Sequence, residues 1–171
     1  IHHRLVGSEM CIRDRPFNVY GGLQDNGSWY GPSDSPGGIE NKDWQITNWG
    51  DGFRVYRHPT DVNVIYAESQ GGEIVRYDER DGQRKSIKPI PTGDEPEYRF
   101  NWHTPIQLSP NNPERLYCAA QFLFRSDDRG DSWTKISPDL TTNDPERQRQ
   151  AKSGGLSIDN STAENNTTIY A

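Results

Sequence analysis

Residues 126–133 read Ser126-Asp127-Asp128-Arg129-Gly130-Asp131-Ser132-Trp133, the pattern Ser-x-Asp-x-Gly-x-Ser-Trp. Gly130 can take a positive φ without steric cost, and Asp128 can turn its carboxylate back onto nearby backbone N–H groups. The spacing predicts a tight hairpin held by its own side chains and closed by a large aromatic. Trp133 is expected to begin the next strand, Trp-Thr-Lys-Ile-Ser, as a buried anchor.

Outward from this turn the chain repeats. Val19-Tyr20-Gly21-Gly22-Leu23-Gln24, Ile65-Tyr66-Ala67-Glu68-Ser69-Gln70 and Leu116-Tyr117-Cys118-Ala119-Ala120-Gln121 share apolar-Tyr-x-x-x-Gln, and Ile169-Tyr170-Ala171 starts a fourth copy. The tyrosines are 46, 51 and 53 residues apart. Asn48-Trp49 with Asn101-Trp102, and Ile87-Lys88-Pro89 with Ile136-Ser137-Pro138, keep that period. Short strands between Gly, Pro and Asn turns at a period near fifty are the mark of a four-stranded propeller blade. Superposing the copies places strands at Thr104–Leu108, Arg115–Ala120, Phe122–Ser126 and Trp133–Ser137. The preceding copy gives Phe53–Arg57, Val64–Glu68, Glu73–Asp78 and Arg84–Lys88. Helical periodicity is absent, and residues 144–151, with no apolar stripe, read as one solvated turn in a long loop.

Composition narrows the function classes. The net charge is -6; residues 1–15 carry Arg4, Arg13 and Arg15 against Glu9 and Asp14, so the balance is -7 without them. An acidic chain lacks the basic footprint of a nucleic-acid or anionic-membrane binder. Hydrophobic residues make up only 30 %, which raises disorder, but five Trp and eight Tyr at regular places favour order with each aromatic wedged between sheets. Of the two cysteines, Cys118 lies in an apolar strand and reads as a buried, inert thiol. No metal-ligand spacing, cofactor motif or membrane-spanning run is visible.

Residues 1–15 show neither strand alternation nor a signal-peptide core, and Val6–Arg15 resembles translated sequencing-adapter read-through. They are read as non-native, and the chain as a fragment of a longer protein. The remainder, 16–171, divides into blade parts 17–47, 48–89, 99–138 and 154–171.

The octapeptide 126–133 resembles the Asp-box (bacterial neuraminidase) repeat, a structural motif on the hairpin between the third and fourth strands of a β-propeller blade. Ser126, Asp128, Gly130 and Trp133 match its fixed positions. Residues 78–82 resemble a decayed copy with no Trp. With Val19–Trp29, Ser69–Gly72, Arg99–Trp102 and Ser126–Thr142, the resemblance extends to large bacterial Asp-box proteins of the sortilin-like or glycosyl-hydrolase-like kind. It implies an all-β fold: about three four-stranded blades of a larger propeller, from an extracellular or periplasmic protein, packed against remaining blades of the same chain. The motif itself is compatible with many functions.

Strands that run up and down sort the turns onto two ends. The box and the turns after each inner strand share one end. The other gathers the second-to-third-strand turns and the blade connections, and the longer, more varied loops are expected there, where a site belongs. That end carries Gln24, Trp49, Glu68, Gln70, Trp102, His103 and Gln121 as candidate ligand contacts, since aromatics beside amides and carboxylates suit a polypeptide or carbohydrate ligand. The bland alternative is that the tryptophans wedge between blades and the glutamines cap backbone groups. A hydrolytic reading needs two carboxylates. Asp25 and Asp51 are the pair for a glycoside hydrolase of the xyloglucanase or sialidase kind, although the place that matches the xyloglucanase acid holds Ser69 or Gln70. A binding scaffold is the preferred function and the hydrolase the alternative. Arg129-Gly130-Asp131 spells an adhesion tripeptide inside the box and is read as structural, and His58 and His103 are single, with no metal-ligand partner in spacing.

Overall fold

The computed structural model describes residues 17–149 and 165–170. In it the repeat becomes three antiparallel sheets in succession. The first holds β1 (Asn18–Leu23), β2 (Gly27–Pro32) and β3 (Gln45–Asn48). The second holds β4 (Gly52–Arg57), β5 (Val64–Ser69), β6 (Glu73–Asp78) and β7 (Arg84–Ser86), and the third β8 (Ile106–Leu108), β9 (Leu116–Ala119), β10 (Leu123–Ser126) and β11 (Thr134–Lys135). Each is a meander in which chain neighbours pair. The chain is all-β, as the sequence predicts, and every strand expected in residues 53–137 forms with its ends moved by two residues or fewer. The outer strand expected at Trp133–Ser137 loses most, shortening to Thr134–Lys135. Residues 1–15, most of blade part 154–171, and Ala171 lie outside the described residues.

Burial follows position in the stack. β5 is buried along its whole length because its two faces meet the first sheet and the joint with the third, as a strand covered on both sides must be. The largest cluster, with Tyr66, Ile74, Ile87, Phe100, Ile106, Leu116 and Phe124, fills the joint between the second and third sheets. Cys118 is within it, and burial pushes its thiol well above the usual range. The joint between the first and second sheets is closer: a Cβ on Gly22 would lie 2.2 Å from the carbonyl carbon of Gly52 and 2.3 Å from Phe53 N, so backbone meets backbone.

Two expectations need correction. Trp133 stands just before its strand and is half-buried, because β11 is an outer edge strand and only one side of the indole meets protein. Its Nε1 donates to Ile87 O at 2.7 Å in the neighbouring sheet. The long loops are not confined to one end: residues 33–44 span from β2 to β3 at the box end, with a short 3₁₀ turn at Asn41–Asp43 and Trp44 lying on Gly31. The turn at 145–149 is exposed, as expected.

The box itself closes as its sequence requires. Ser126 Oγ accepts from Gly130 N at 2.7 Å, Asp128 Oδ1 accepts from Ser132 N at 2.9 Å, and Gly130 has φ +90°. The register of β6 with β7 puts Arg84 where Trp133 stands in the third sheet. Arg84 donates to Thr47 O at 3.0 Å and Ile46 O at 2.6 Å, so the second sheet makes the same joint with a guanidinium in place of an indole.

Replacing Gly22 with alanine is expected to cost about 1–3 kcal/mol or more, because the added carbon has only backbone to push against. Gly21→Ala, whose carbon would meet nothing within 4 Å, is expected to stay within about 0.5 kcal/mol of the parent. Urea unfolding of both variants checks the difference.

Candidate functional site

The second-to-third-strand turns and the connections between sheets share one end of the molecule, and polar side chains lock them to one another. Asp25, in the left-handed region at φ +61°, gives its backbone N–H to Asp51 Oδ1 at 2.6 Å. Asp51 N donates to Gln70 Oε1 at 2.7 Å, and Gly27 N donates to Gly50 O at 2.8 Å. Gly50 has φ +87° and lies against the Gln70 amide, where a Cβ would come within 2.6 Å of Oε1. The segment 49–51 is thus held on both sides, and Trp49 between these clamps is 67 % exposed.

Two of the three repeated glutamines, Gln70 and Gln121, do the same work in the second and third sheets. Gln121 takes Arg99 N on Oε1 at 2.8 Å and gives Nε2 to Glu97 O at 3.0 Å. It is fully buried, with no polar atom left to face a ligand. Gln70 is half-buried and holds Asp51, while Gln24 is exposed. Among the sequence candidates, Gln24, Asp25 and Trp49 stand on the surface, Trp102 is half-buried with its carbonyl taken by Gly71 N, and Asp51 is buried. The structure brings Asp25 and Asp51 into direct contact.

Glu68 departs from the repeat, which has Gly22 and Ala119 at its position. Its carboxylate is fully buried, and Oε1 accepts from Thr104 N at 2.9 Å across the joint to the third sheet. Burial pushes its carboxyl up to about 7, against the opposing pull of that N–H. His103 lies 3.8 Å from Oε2, but its Nε2 accepts from Arg54 Nε at 3.3 Å, and burial and Arg54 lower its affinity for a proton. The pair is a neutral imidazole beside a carboxyl that titrates near neutrality, rather than an ion pair.

A register break between Gly52 and Val55 aims both Phe53 and Arg54 at the His103 ring. Phe53 stacks on it at 5.0 Å, Tyr170 meets its edge at 5.7 Å, and Arg54 reaches Tyr56 OH at 3.4 Å. Arg54, Phe53 and Tyr56 are additions to the residues read from sequence. Their signal was the bulky acid at a Gly/Ala position of the repeat, which obliges its neighbours to differ as well.

At the opposite end, the adhesion-like tripeptide is committed to the fold. Arg129 is bidentate on Glu114 and bonds Asp61 at 3.0 Å, while Asp131 binds Lys85 at 2.6 Å and Arg76 at 3.0 Å. His58 is fully buried with Nδ1 accepting from Asp61 N at 2.9 Å, a turn histidine whose proton affinity burial lowers. Among the described residues no cluster of His, Cys, Asp or Glu could hold a metal ion, and no helix is long and apolar enough to cross a membrane. No protein-family model matches the chain, and no curated protein matches it significantly.

Because the folded chain holds the Glu68 proton that the unfolded chain releases above its ordinary value of 4.5, the contribution of Glu68 to stability falls as pH rises from about 4.5 to about 7. That rise corresponds to roughly 3 kcal/mol. Glu68→Gln keeps an acceptor for Thr104 N and removes the titration, so the variant's stability relative to the parent is expected to climb across this window. Paired urea titrations at stepped pH measure it; parallel curves for the two proteins would contradict the assignment.

Proposed function

We propose that this chain is an arc of an exported β-propeller of the Asp-box kind, and that the end bearing Gln24, Asp25, Trp49 and Trp102 binds a polypeptide or a glycan. The arc reading is supported by three consecutive meanders with one repeat. In the second and third sheets the positions equivalent to Val19 and Leu23 are buried: Ile65 and Ser69, Leu116 and Ala120. Val19 and Leu23 are themselves 44 % and 55 % exposed, and a further sheet on that face is what the reading requires.

One observation carries the binding role. Trp49 is a large aromatic turned to solvent on a segment whose two sides are clamped by Asp25, Gly27 and Gln70. An isolated exposed side chain is ordinary, but a rigid loop that presents an indole beside amides and a carboxylate loses little conformational entropy when a ligand covers the ring. Ring surface of this kind suits a sugar face or an extended peptide.

A second reading is glycoside hydrolysis by the carboxylates of Asp25 and Asp51, which the chain brings near each other through the Asp25 backbone N–H. Against it, Asp51 is buried and spends one oxygen on the Asp25 N–H. Binding without turnover is therefore preferred.

Trp49→Ala is expected to weaken binding on a glycan and peptide array by about 1–3 kcal/mol without altering the urea midpoint, since the side chain supports nothing else. Equal array signals for parent and variant would remove Trp49 from the site. Asp25→Asn and Asp51→Asn are expected to leave glycan turnover at background in parent and variants alike; turnover that the parent shows and either variant loses would establish the hydrolase instead.

A further inference from the structure

The connection from β7 to β8 runs from the second sheet to the third. In it Pro89 is buried while the next residue, Ile90, is 72 % exposed and forms a ridge between two cavities. A cavity of about 390 Å³ lies on one side of this ridge, reaching Glu73, Ser86 and Phe100. Another of about 310 Å³ lies on the other, reaching Trp133, Thr134 and Lys135. The two share Pro89, Ile90 and Tyr98, so they form one groove divided by the ridge.

The two halves repeat one chemistry. In the first, Lys88 binds Glu73 at 2.8 Å and covers the Phe100 ring at 5.1 Å. Lys135, on the wall of the second, binds Glu95 at 2.5 Å and covers at 4.7 Å the ring of Phe122, which is not itself part of the lining. Tyr98, between them, gives its hydroxyl to Glu95 at 2.7 Å. Both lysines are neutralised in place, so an anionic ligand would have to displace a carboxylate from each. A wholly apolar ligand would bury two ion pairs and supply nothing in return for their water. A ligand that fits must be uncharged, present C–H faces to Ile90, Tyr98 and Trp133, and carry many hydroxyls for the carboxylate, ammonium and Ser/Thr groups on the walls. Sugars have this alternation, and two like subsites astride a ridge suit a chain of like units.

We propose that the groove on either side of Ile90, in the joint between the second and third sheets, is a binding site for a neutral oligosaccharide. It is separate from the Trp49 surface and does not rest on the function proposed for that surface.

The test is calorimetric titration of the whole chain with α-1,4- and β-1,4-linked glucose hexasaccharides and with a proline-rich decapeptide. Ile90→Asp places a charge on the ridge, and Ser86→Trp fills the first cavity from an exposed edge strand; both side chains are exposed, so both variants are expected to fold, and circular dichroism checks that. Each variant is expected to weaken binding of at least one hexasaccharide by about tenfold or more, while raised salt has little effect. Failure of both hexasaccharides to bind the parent, or binding that both variants retain, overturns the proposal. So does binding of the decapeptide alone with loss in Ile90→Asp, which would make the groove a peptide site.

Discussion

The architecture depends on side chains that reach out of one sheet to satisfy backbone groups of the next. Arg84 takes the carbonyls of Ile46 and Thr47, Trp133 takes that of Ile87, and Gln70, Gln121 and Glu68 receive the N–H groups of Asp51, Arg99 and Thr104. Connections between sheets are irregular, and their backbone groups have no ladder partners; buried without them, each would cost about 1–3 kcal/mol. Polar reach across the joints solves this at both ends of the stack. It also explains how a chain with 30 % hydrophobic residues folds: apolar packing is concentrated in the strands, and the ends are closed by hydrogen bonds.

Much of this was legible in the sequence because the repeat constrains local chemistry. The box at 126–133 fixed a turn, and the apolar-Tyr-x-x-x-Gln pattern located β1, β5 and β9, since strand alternation and turn residues act over a few positions. Arg84 was not legible as the partner of Trp133, because an arginine and a tryptophan share no class in a pattern; they share only a donor at the end of a long side chain. The candidate site was legible as a set of loops but not as contacts. Asp25 and Asp51 come from different sheets, and their meeting depends on how closely those sheets approach. Gln121 looked like Gln24 in sequence, yet one is sealed in a joint and the other open, because neighbours distant in the chain decide exposure.

Charge is arranged differently at the two ends. At the box end, Arg76, Arg80 and Arg129 with Asp61, Asp78, Glu114 and Asp131 form a continuous network from the second sheet to the third. Hydrogen bonds from Arg80 hold the Asp78 carboxyl down to about 2, so this acid stays ionised and its part of the network persists through the ordinary pH range. At the loop end the buried Glu68 is poised near neutrality and its histidine is uncharged. One end is a fixed electrostatic clasp; the other carries a group whose charge responds to its surroundings.

The two joints also differ in how their load is carried. Between the first and second sheets, Gly22, Gly27 and Gly52 let main chains touch, and hydrogen bonds from Arg84, to Asp51 and from Asn48 close the rest of the contact. Between the second and third sheets the apolar cluster around Tyr66, Phe100, Ile106 and Phe124 fills the space, and the connection at residues 88–98 lies beside two cavities. Where Gly22 and Gly52 cross there is no side chain to trim or enlarge, so those two residues set the spacing of the first two sheets by main-chain contact alone, whereas the second spacing follows the sizes of the side chains that fill it.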